Sequence, residues 1–392
     1  MNVSNFGLYR LGIAYFMIQL QFWFPIWIVF LIERGLTFYD VIIADIVYWI
    51  AVVLLEFPMG YIGDRIGRRT TYFLGALFGA GTYLVMSFIS NFSSLVITWI
   101  CWSIFLATIS GTDTAYIYEL IKDNGLIDKS NTIFGYFAAL TSLAFIASHF
   151  FAGFLYSFNS SLPILVNSAC AVAAGCLIIT LPNPKVNNDL YSIPNIKEVV
   201  MDIAWKNNSV RILIFVLALL YAYSWATTLI FQPFLLELGL NIEVFGIIYL
   251  AFTSLGVLGG LITGKLVNLI GSYIIIMIGT LGMWLAIGIA GFISGLFSLV
   301  GIIMIRFFYF LSESPLKVLI NNEIENKYRA SIFSLSNLLA SILLILFRPL
   351  IGYLSEEYSS GTAFQIWFSI GIMICISILF LIYKLRNQIL LA

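Results

Sequence analysis

Apolar residues in this chain gather into long continuous runs, separated by short polar joints. Twelve runs are long enough to read as single elements: 9–33, 39–62, 70–90, 94–121, 131–157, 162–182, 209–236, 243–265, 272–294, 296–320, 330–354 and 362–384. Crossing a bilayer takes roughly 20 such residues in a helix. Barrel strands would instead show alternating segments of about ten residues. Helices satisfy their own backbone groups in lipid, so the pattern predicts an all-α polytopic membrane protein with twelve transmembrane helices.

Composition agrees with that solvent. Of 392 residues, 61% are hydrophobic and 10% charged, and the mean hydropathy is +1.02. Soluble domains run near half apolar and about a quarter charged. The formal net charge is zero, but its distribution is uneven. With the N-terminus inside, sixteen of the 19 Lys and Arg fall at cytoplasmic ends and loops. Arg34 alone lies in an outer loop, and Arg306 and Arg348 lie inside spans. The positive-inside rule then places both termini in the cytoplasm. The predicted location is the cell (plasma or inner) membrane. No cleavable signal pattern precedes Gln19 and Gln21, so the first span serves as its own insertion signal. Cys101, Cys170, Cys176 and Cys375 all fall within spans, with spacing that supports neither a metal site nor a disulfide framework.

The longest polar interval, 182–209, divides six spans from six. Its middle, "IPNIKEVVMDIAW", reads either as an amphipathic surface helix or as a plain tether. The domains expected are therefore a six-helix bundle over 1–182, a cytoplasmic linker over 183–208 and a second bundle over 209–392. The halves share traces of sequence. "LIERGL" (31–36) matches "LLELGL" (235–240), and at the same offset of 204 "GYIGDRIG" (60–67) lies on "GKLVNLIG" (264–271). Shared polarity makes this a parallel pseudo-two-fold repeat about an axis along the membrane normal.

"GYIGDRIGRR" (60–69) is similar to the signature of the major facilitator superfamily, between spans 2 and 3. Gly60, Asp64, Arg65, Gly67, Arg68 and Arg69 fill its key positions. "LLEFPMG", "SGTDTAYIYE" (110–119) and "YRASIFSL" (328–335) resemble segments of the drug-exporter-like branch. Two elements common among its antiporters are missing: the first half of span 4 has no Arg, and "AFIASHFFAGFLY" in span 5 has Gly153 but no proline. The resemblance implies a cavity between the halves lined by spans 1, 4, 7 and 10. It also implies a latch in which Asp64 meets the N-terminus of span 11, with Glu56 in the same network. In physical terms, Gly60 and Gly63 permit close helix approach, a carboxylate suits a helix N-terminus, and Gly67 permits a tight turn. Arg68 and Arg69 can pair with carboxylates or lipid headgroups.

An ionisable group in a bilayer costs several kcal/mol, about 2.5–3.5 on insertion scales. Spans 4 and 10 carry the densest set: Asp113, Glu119, Arg306, Glu313 and Lys317. Arg306 and Glu313 are two helical turns apart and share a side. Glu313 and Lys317 are four apart and can pair, with Pro315 between them. Asp113 and Glu313 are candidate proton or substrate-cation sites, with Arg306 as partner or anion anchor. The plainer reading is a static salt-bridge network. Glu119 is expected to pair with Lys122 or Lys317. His149, the only histidine, reads as a hydrogen-bonded packing residue rather than a proton relay. Gln19, Gln21, Tyr221, Tyr223, Trp225 and Gln232 offer aromatic walls with few polar groups, which suits an amphipathic organic substrate. Pro25 and Pro233 are expected to bend spans 1 and 7.

No phosphate-cradling loop, nucleophile triad or metal-ligand spacing is present, so neither an enzyme nor a cofactor or metal is expected. Nucleic acid is not an expected partner; the small-molecule substrate, a coupling ion and the bilayer are, for a monomer. The expected function is proton-coupled export of small amphipathic compounds by alternating access. Two other readings stay open: uptake or exchange of an organic anion anchored by Arg306, and a non-transporting sensor on the same fold.

Overall fold

The computed structural model describes residues 3–183, 207–325 and 328–390, with side chains for all of these except 3–6, 56–65, 330 and 388–390. The described residues are helical throughout, with no strand. The segment "IPNIKEVVMDIAW" and most of the expected linker lie outside the described residues. The chain forms two compact units, residues 1–188 with 241–250, and residues 189–240 with 251–392.

The first unit contains α1 (Val3–Gln19), α2 (Trp27–Glu33), α3 (Phe38–Ile66), α4 (Arg68–Ser87), α5 (Phe92–Ile109), α6 (Thr112–Asp123), α7 (Ser130–Phe158) and α8 (Leu162–Ile179). The second contains α9 (Asn208–Ala226), α10 (Phe231–Glu237), most of α11 (Ile242–Ile270), α12 (Ser272–Phe292), α13 (Ser298–Glu323), α14 (Arg329–Glu357) and α15 (Ser360–Leu390). Ten helical runs among the described residues are long and apolar enough to cross a membrane. Two predicted spans are not among them. The first is split into α1 and α2, and α4 opens on the polar turn Arg68, Arg69, Thr70, Thr71.

Three of the predicted runs are interrupted. Span 1 stops at Gln19 and resumes at Trp27; span 4 breaks at Ser110–Gly111; span 7 passes through a 3-10 turn, Thr227–Leu229. Pro25 lies inside the span 1 break, two residues before α2 begins, and Pro233 sits in the first turn of α10, just after the 3-10 turn of span 7.

A helix break exposes backbone donors and acceptors that lipid cannot satisfy. Here distant side chains supply the partners. Asn167 of α8, 2% exposed, donates its amide to the Leu20 carbonyl at 2.5 Å and accepts from the Trp23 N–H at 3.3 Å. Around that turn, Trp23 packs edge-on against Trp102 at 4.8 Å, and Trp102 against Tyr83 at 5.0 Å. In the second unit, Arg348 of α14 donates to the Trp225 carbonyl at 3.2 Å and to the Thr228 hydroxyl at 3.1 Å. At 4% exposure, that arginine finds one partner in the backbone and one in a side chain at the break. At the Ser110–Gly111 break, Gly111 takes a left-handed conformation (φ 76°), and Thr112 restarts the helix.

Small residues set helix spacing elsewhere. A Cβ on Gly79 of α4 would collide with the Phe105 ring of α5, and one on Gly282 of α12 with the Phe308 ring of α13. Within the first unit, Gly153 of α7 lies against the Glu243 backbone, and Gly246 against the His149 carbonyl.

Replacing Asn167 with leucine keeps the volume and removes both partners of the span 1 break. Thermal unfolding in detergent should show a loss of about 1–3 kcal/mol for the groups left unsatisfied. An unchanged melting temperature would mean the turn is held by packing alone.

Candidate functional site

The second unit gathers the densest group of sequence-predicted residues around Arg306. Glycines create the space. A Cβ on Gly256 of α11 would strike the Arg306 side chain and the Phe310 ring, and Gly259 meets the Phe307 backbone. Helices α11 and α13 therefore approach closely, and the arginine stem runs through the gap. Its guanidinium carbon lies 4.9 Å from the Phe310 ring centre, 5.2 Å from Trp225, 5.3 Å from Tyr309 and 5.8 Å from Phe252. All four fall within cation–π range. The rings cover guanidinium faces, but its N–H groups point in its plane. Among the described residues no carboxylate comes within ion-pairing distance of it, and the residue is only half-buried.

Glu313 has other partners. Its carboxylate accepts from the Tyr309 hydroxyl at 2.9 Å and lies 2.8 Å from the Lys317 ammonium. Tyr309 thus joins two charges: its ring flanks Arg306 and its hydroxyl holds Glu313. The expected alternative of an Arg306 partnership with Glu313 is corrected, because Lys317 and Tyr309 occupy the carboxylate. Helix α13 continues through Pro315, which cannot donate to the carbonyl one turn back.

Tyr221 and Trp225, one turn apart on α9, stack at 6.0 Å with their planes 15° apart, and Tyr221 meets Tyr309 edge-on at 6.2 Å. Both are half-buried, so aromatic surface stays accessible beside the cation. Tyr223 points elsewhere: it is buried, stacks on Trp367 and donates to the Trp367 carbonyl at 3.0 Å. Gln232 is fully buried.

In the first unit, Asp113 lies in the first turn of α6, just after the break in span 4. Its carboxylate accepts from the Thr114 N–H at 2.6 Å and the Thr114 hydroxyl at 3.2 Å. A negative charge is stabilised at a helix N-terminus, so the break supplies the position that tolerates it. Gln19 ends α1 and Gln21 lies in the span 1 break, both half-buried. His149 is buried, with its ring stacked on Phe145 at 6.0 Å and on Phe24 at 5.9 Å.

The signature loop is one residue long. Gly67 alone joins α3 to α4, at φ 89° and ψ 145°, a conformation essentially reserved for glycine. Gly271 joins α11 to α12 at φ 88° and ψ 154°. Arg69 donates to the Leu181 carbonyl at 3.0 Å, just past the end of α8, where a cation is favoured. The Tyr116 hydroxyl donates to the Pro182 carbonyl at 2.7 Å. Glu119 pairs with Arg68 at 3.8 Å. Lys122, three residues on from Glu119, is exposed, whereas Arg68 is brought beside α6 by the turn at Gly67. The side chains of Glu56, Asp64 and Arg65, and the surroundings of Gly60, lie outside the described set.

Several working residues were not singled out from the sequence. Tyr309 and Phe310 stand three and four positions after Arg306, a spacing that places them on its helix face. Phe252 and Gly256 come from another helix and left no local signal. Asn167 had one, as a lone amide in an apolar run.

The family model of the Major Facilitator Superfamily matches residues 11–347. The chain belongs to the major facilitator superfamily. It is 24% identical over 243 residues to the MFS-type transporter YxaM of Bacillus subtilis (strain 168), covering 59% of this chain and 59% of that protein. It is 24% identical over 134 residues to the MFS-type transporter MJ1317 of Methanocaldococcus jannaschii, covering 34% of this chain and 33% of that protein. The match therefore spans less than two thirds of either relative. Among solved structures, the nucleoside transporter NupG superposes with a TM-score of 0.80 at 15% identity, covering 97% of this chain and 99% of that one. A bacterial homologue of the human lysosomal transporter Spinster, inward-facing and unoccupied, gives 0.75 at 12%, covering 97% and 95%. A D-xylose-proton symporter gives 0.73 at 14%, covering 96% of each. These likenesses establish the fold, that of transporters. The neighbours that name a solute are nucleoside and sugar transporters, so nothing among them supports the drug-exporter-like branch.

A double-mutant cycle on Arg68→Ala and Glu119→Ala, read by thermal unfolding, should give a coupling of about 0.5–1 kcal/mol, the upper range for a partly exposed pair. Additive single effects would remove the pair from the account.

Proposed function

We propose that the protein is a secondary active transporter that carries amphipathic organic anions by alternating access. The carrying observation is Arg306. A guanidinium flanked by four rings has its faces occupied and its hydrogen-bonding edge open, with no carboxylate of the described chain to neutralise it. An arginine in a membrane span is costly unless partnered or functional. A carboxylate or phosphate on the solute would complete it bidentately, and the accessible faces of Tyr221 and Trp225 suit the solute's apolar body. This reading favours the anion alternative over a cationic or neutral amphiphile.

Coupling to protons is assigned to Asp113 and Glu313. Each sits in a span beside hydroxyl partners that suit either protonation state, Thr114 for one and Tyr309 for the other. The D-xylose-proton symporter of similar fold supports the type of coupling. Export remains the direction we favour, with twelve passages in two six-helix bundles and both termini on the cytoplasmic side of the cell membrane. The parallel repeat is supported by the twin glycine joints at Gly67 and Gly271, which lie at the offset of 204. Asp64 is proposed to latch onto the start of span 11.

The experiment is flux in proteoliposomes of defined orientation with a pH dye inside. Amphipathic organic anions should drive proton movement, and the sign of the pH change gives the direction. Arg306→Gln should reduce anion flux about ten- to a hundredfold, the range expected for one charged hydrogen bond. Arg306→Lys, which keeps charge but loses the planar stack, should fall between. Asp113→Asn and Glu313→Gln should each be tested for exchange without net proton movement. Undiminished anion flux in Arg306→Gln would overturn the anchor; flux without any pH change would overturn the coupling.

A further inference from the structure

Arg348 does more than close the break in span 7. The last carbonyls of a helix lack a partner one turn on, and in α9 that last turn includes Trp225. The Trp225 carbonyl accepts from Arg348 at 3.2 Å and from the Thr228 hydroxyl at 2.8 Å. The same Arg348 nitrogen donates to that hydroxyl at 3.1 Å, which closes a ring of three contacts around one peptide group. A cation is favoured at this negative end of the helix. The uncharged amide of Asn167 serves the break in span 1, so a break does not by itself call for a guanidinium. What sets this one apart is the residue it holds. The Trp225 ring flanks Arg306 at 5.2 Å and stacks with Tyr221.

Arg348 is itself fixed in place. Its helix, α14, runs beside α9, where the Ser336 hydroxyl donates to the Ile214 carbonyl at 3.5 Å. That tie lies 12 residues before Arg348 and 11 before Trp225, about 18 and 17 Å along the two axes. The two contacts hold α9 and α14 side by side, parallel and in one register. Arg348 is buried, whereas Trp225 is half-buried. A solute that reaches the tryptophan face therefore meets Arg348 only through the peptide group it grips.

We propose that Arg348 is a positioning residue of the anion site: by holding the Trp225 carbonyl it sets the Trp225 ring beside Arg306, and with it a preference for anions that carry an aromatic body. The proposal rests on the anion reading of Arg306. Trp225 is next to last in α9 and is followed by a 3-10 turn, and helix ends fray. Without the grip of Arg348 the ring has no fixed place, and the wall it forms with Tyr221 loses its definition.

The test uses the full chain with 5-fluorotryptophan in place of its tryptophans, the Trp225 fluorine resonance being assigned by its loss in Trp225→Phe. Wild type should give one narrow line for Trp225. Arg348→Gln should broaden or shift that line. Thr228→Val, a near-isosteric change that keeps Arg348, should do the same and serves should Arg348→Gln fail to fold. Flux in proteoliposomes then compares two monoanions, 2-naphthoate and hexanoate. Either variant should raise KM for 2-naphthoate about three- to tenfold, the span expected of one aromatic contact, with a smaller change in maximal rate and a smaller rise for hexanoate. In a Trp225→Ala background, Arg348→Gln should add nothing further to that KM, because effects that act through one residue are not additive. Arg348→Lys, which keeps a cation, should recover part of the loss. An unmoved Trp225 line in both variants would overturn the proposal, as would additive KM effects or equal losses for the two anions. Failure of the anion reading looks different: flux of both anions would survive Arg306→Gln while the Trp225 line still answered to Arg348, and the solute preference assigned to Arg348 would fall with that reading.

Discussion

The structure depends on one constraint: a backbone amide inside a membrane must find its partner within the protein. Helices meet that demand by themselves, and at two of the three places where this chain leaves the helix inside an apolar run, another element supplies the missing atoms. Asn167 does so for the turn after Gln19, and Arg348 for the turn after Ala226. Both are polar, buried and far along the chain from what they satisfy. They make it possible for spans 1 and 7 to be discontinuous without leaving bare carbonyls in lipid.

The interruptions do not fall at random. They occur in spans 1, 4 and 7, and span 10 carries Pro315. Those four are the spans that the family resemblance assigns to the solute path. Interrupted helices give up hydrogen bonds for access to backbone dipoles and half-helix ends. Asp113 at the head of α6 and Trp225 at the end of α9 occupy two such ends. The breaks in the helices thus fall in spans where chemistry is proposed, a distribution expected of functional sites, while an internal proline is not confined to them: Pro349 lies within α14.

How much of this was readable in advance follows from the range of the physics. Apolar runs are local, so the helical elements were legible, as was the signature turn at Gly67. The break at Ser110–Gly111 had a local sign in "SGTD", a glycine followed by an acidic residue in a new first turn. The other two had a proline nearby, Pro25 and Pro233, but what permits them lies elsewhere: Asn167 is 144 residues from Trp23, and Arg348 is 123 from Trp225. The charged residues of spans 4 and 10 announced themselves by their cost in lipid, but their partners did not. Glu119 meets Arg68 through a turn 51 positions earlier, and two of the rings around Arg306, Trp225 and Phe252, arrive from other helices.

The single-residue joints at Gly67 and Gly271 carry a mechanical consequence. A hinge needs slack, and a connector one residue long has none. Helices α3 and α4 are yoked like the arms of a hairpin, as are α11 and α12, so neither arm can slide along its axis without dragging the other. Any rearrangement that opens a route for solute must be absorbed elsewhere, and the interrupted helices, with their spare turns, are the pliable segments left to bend.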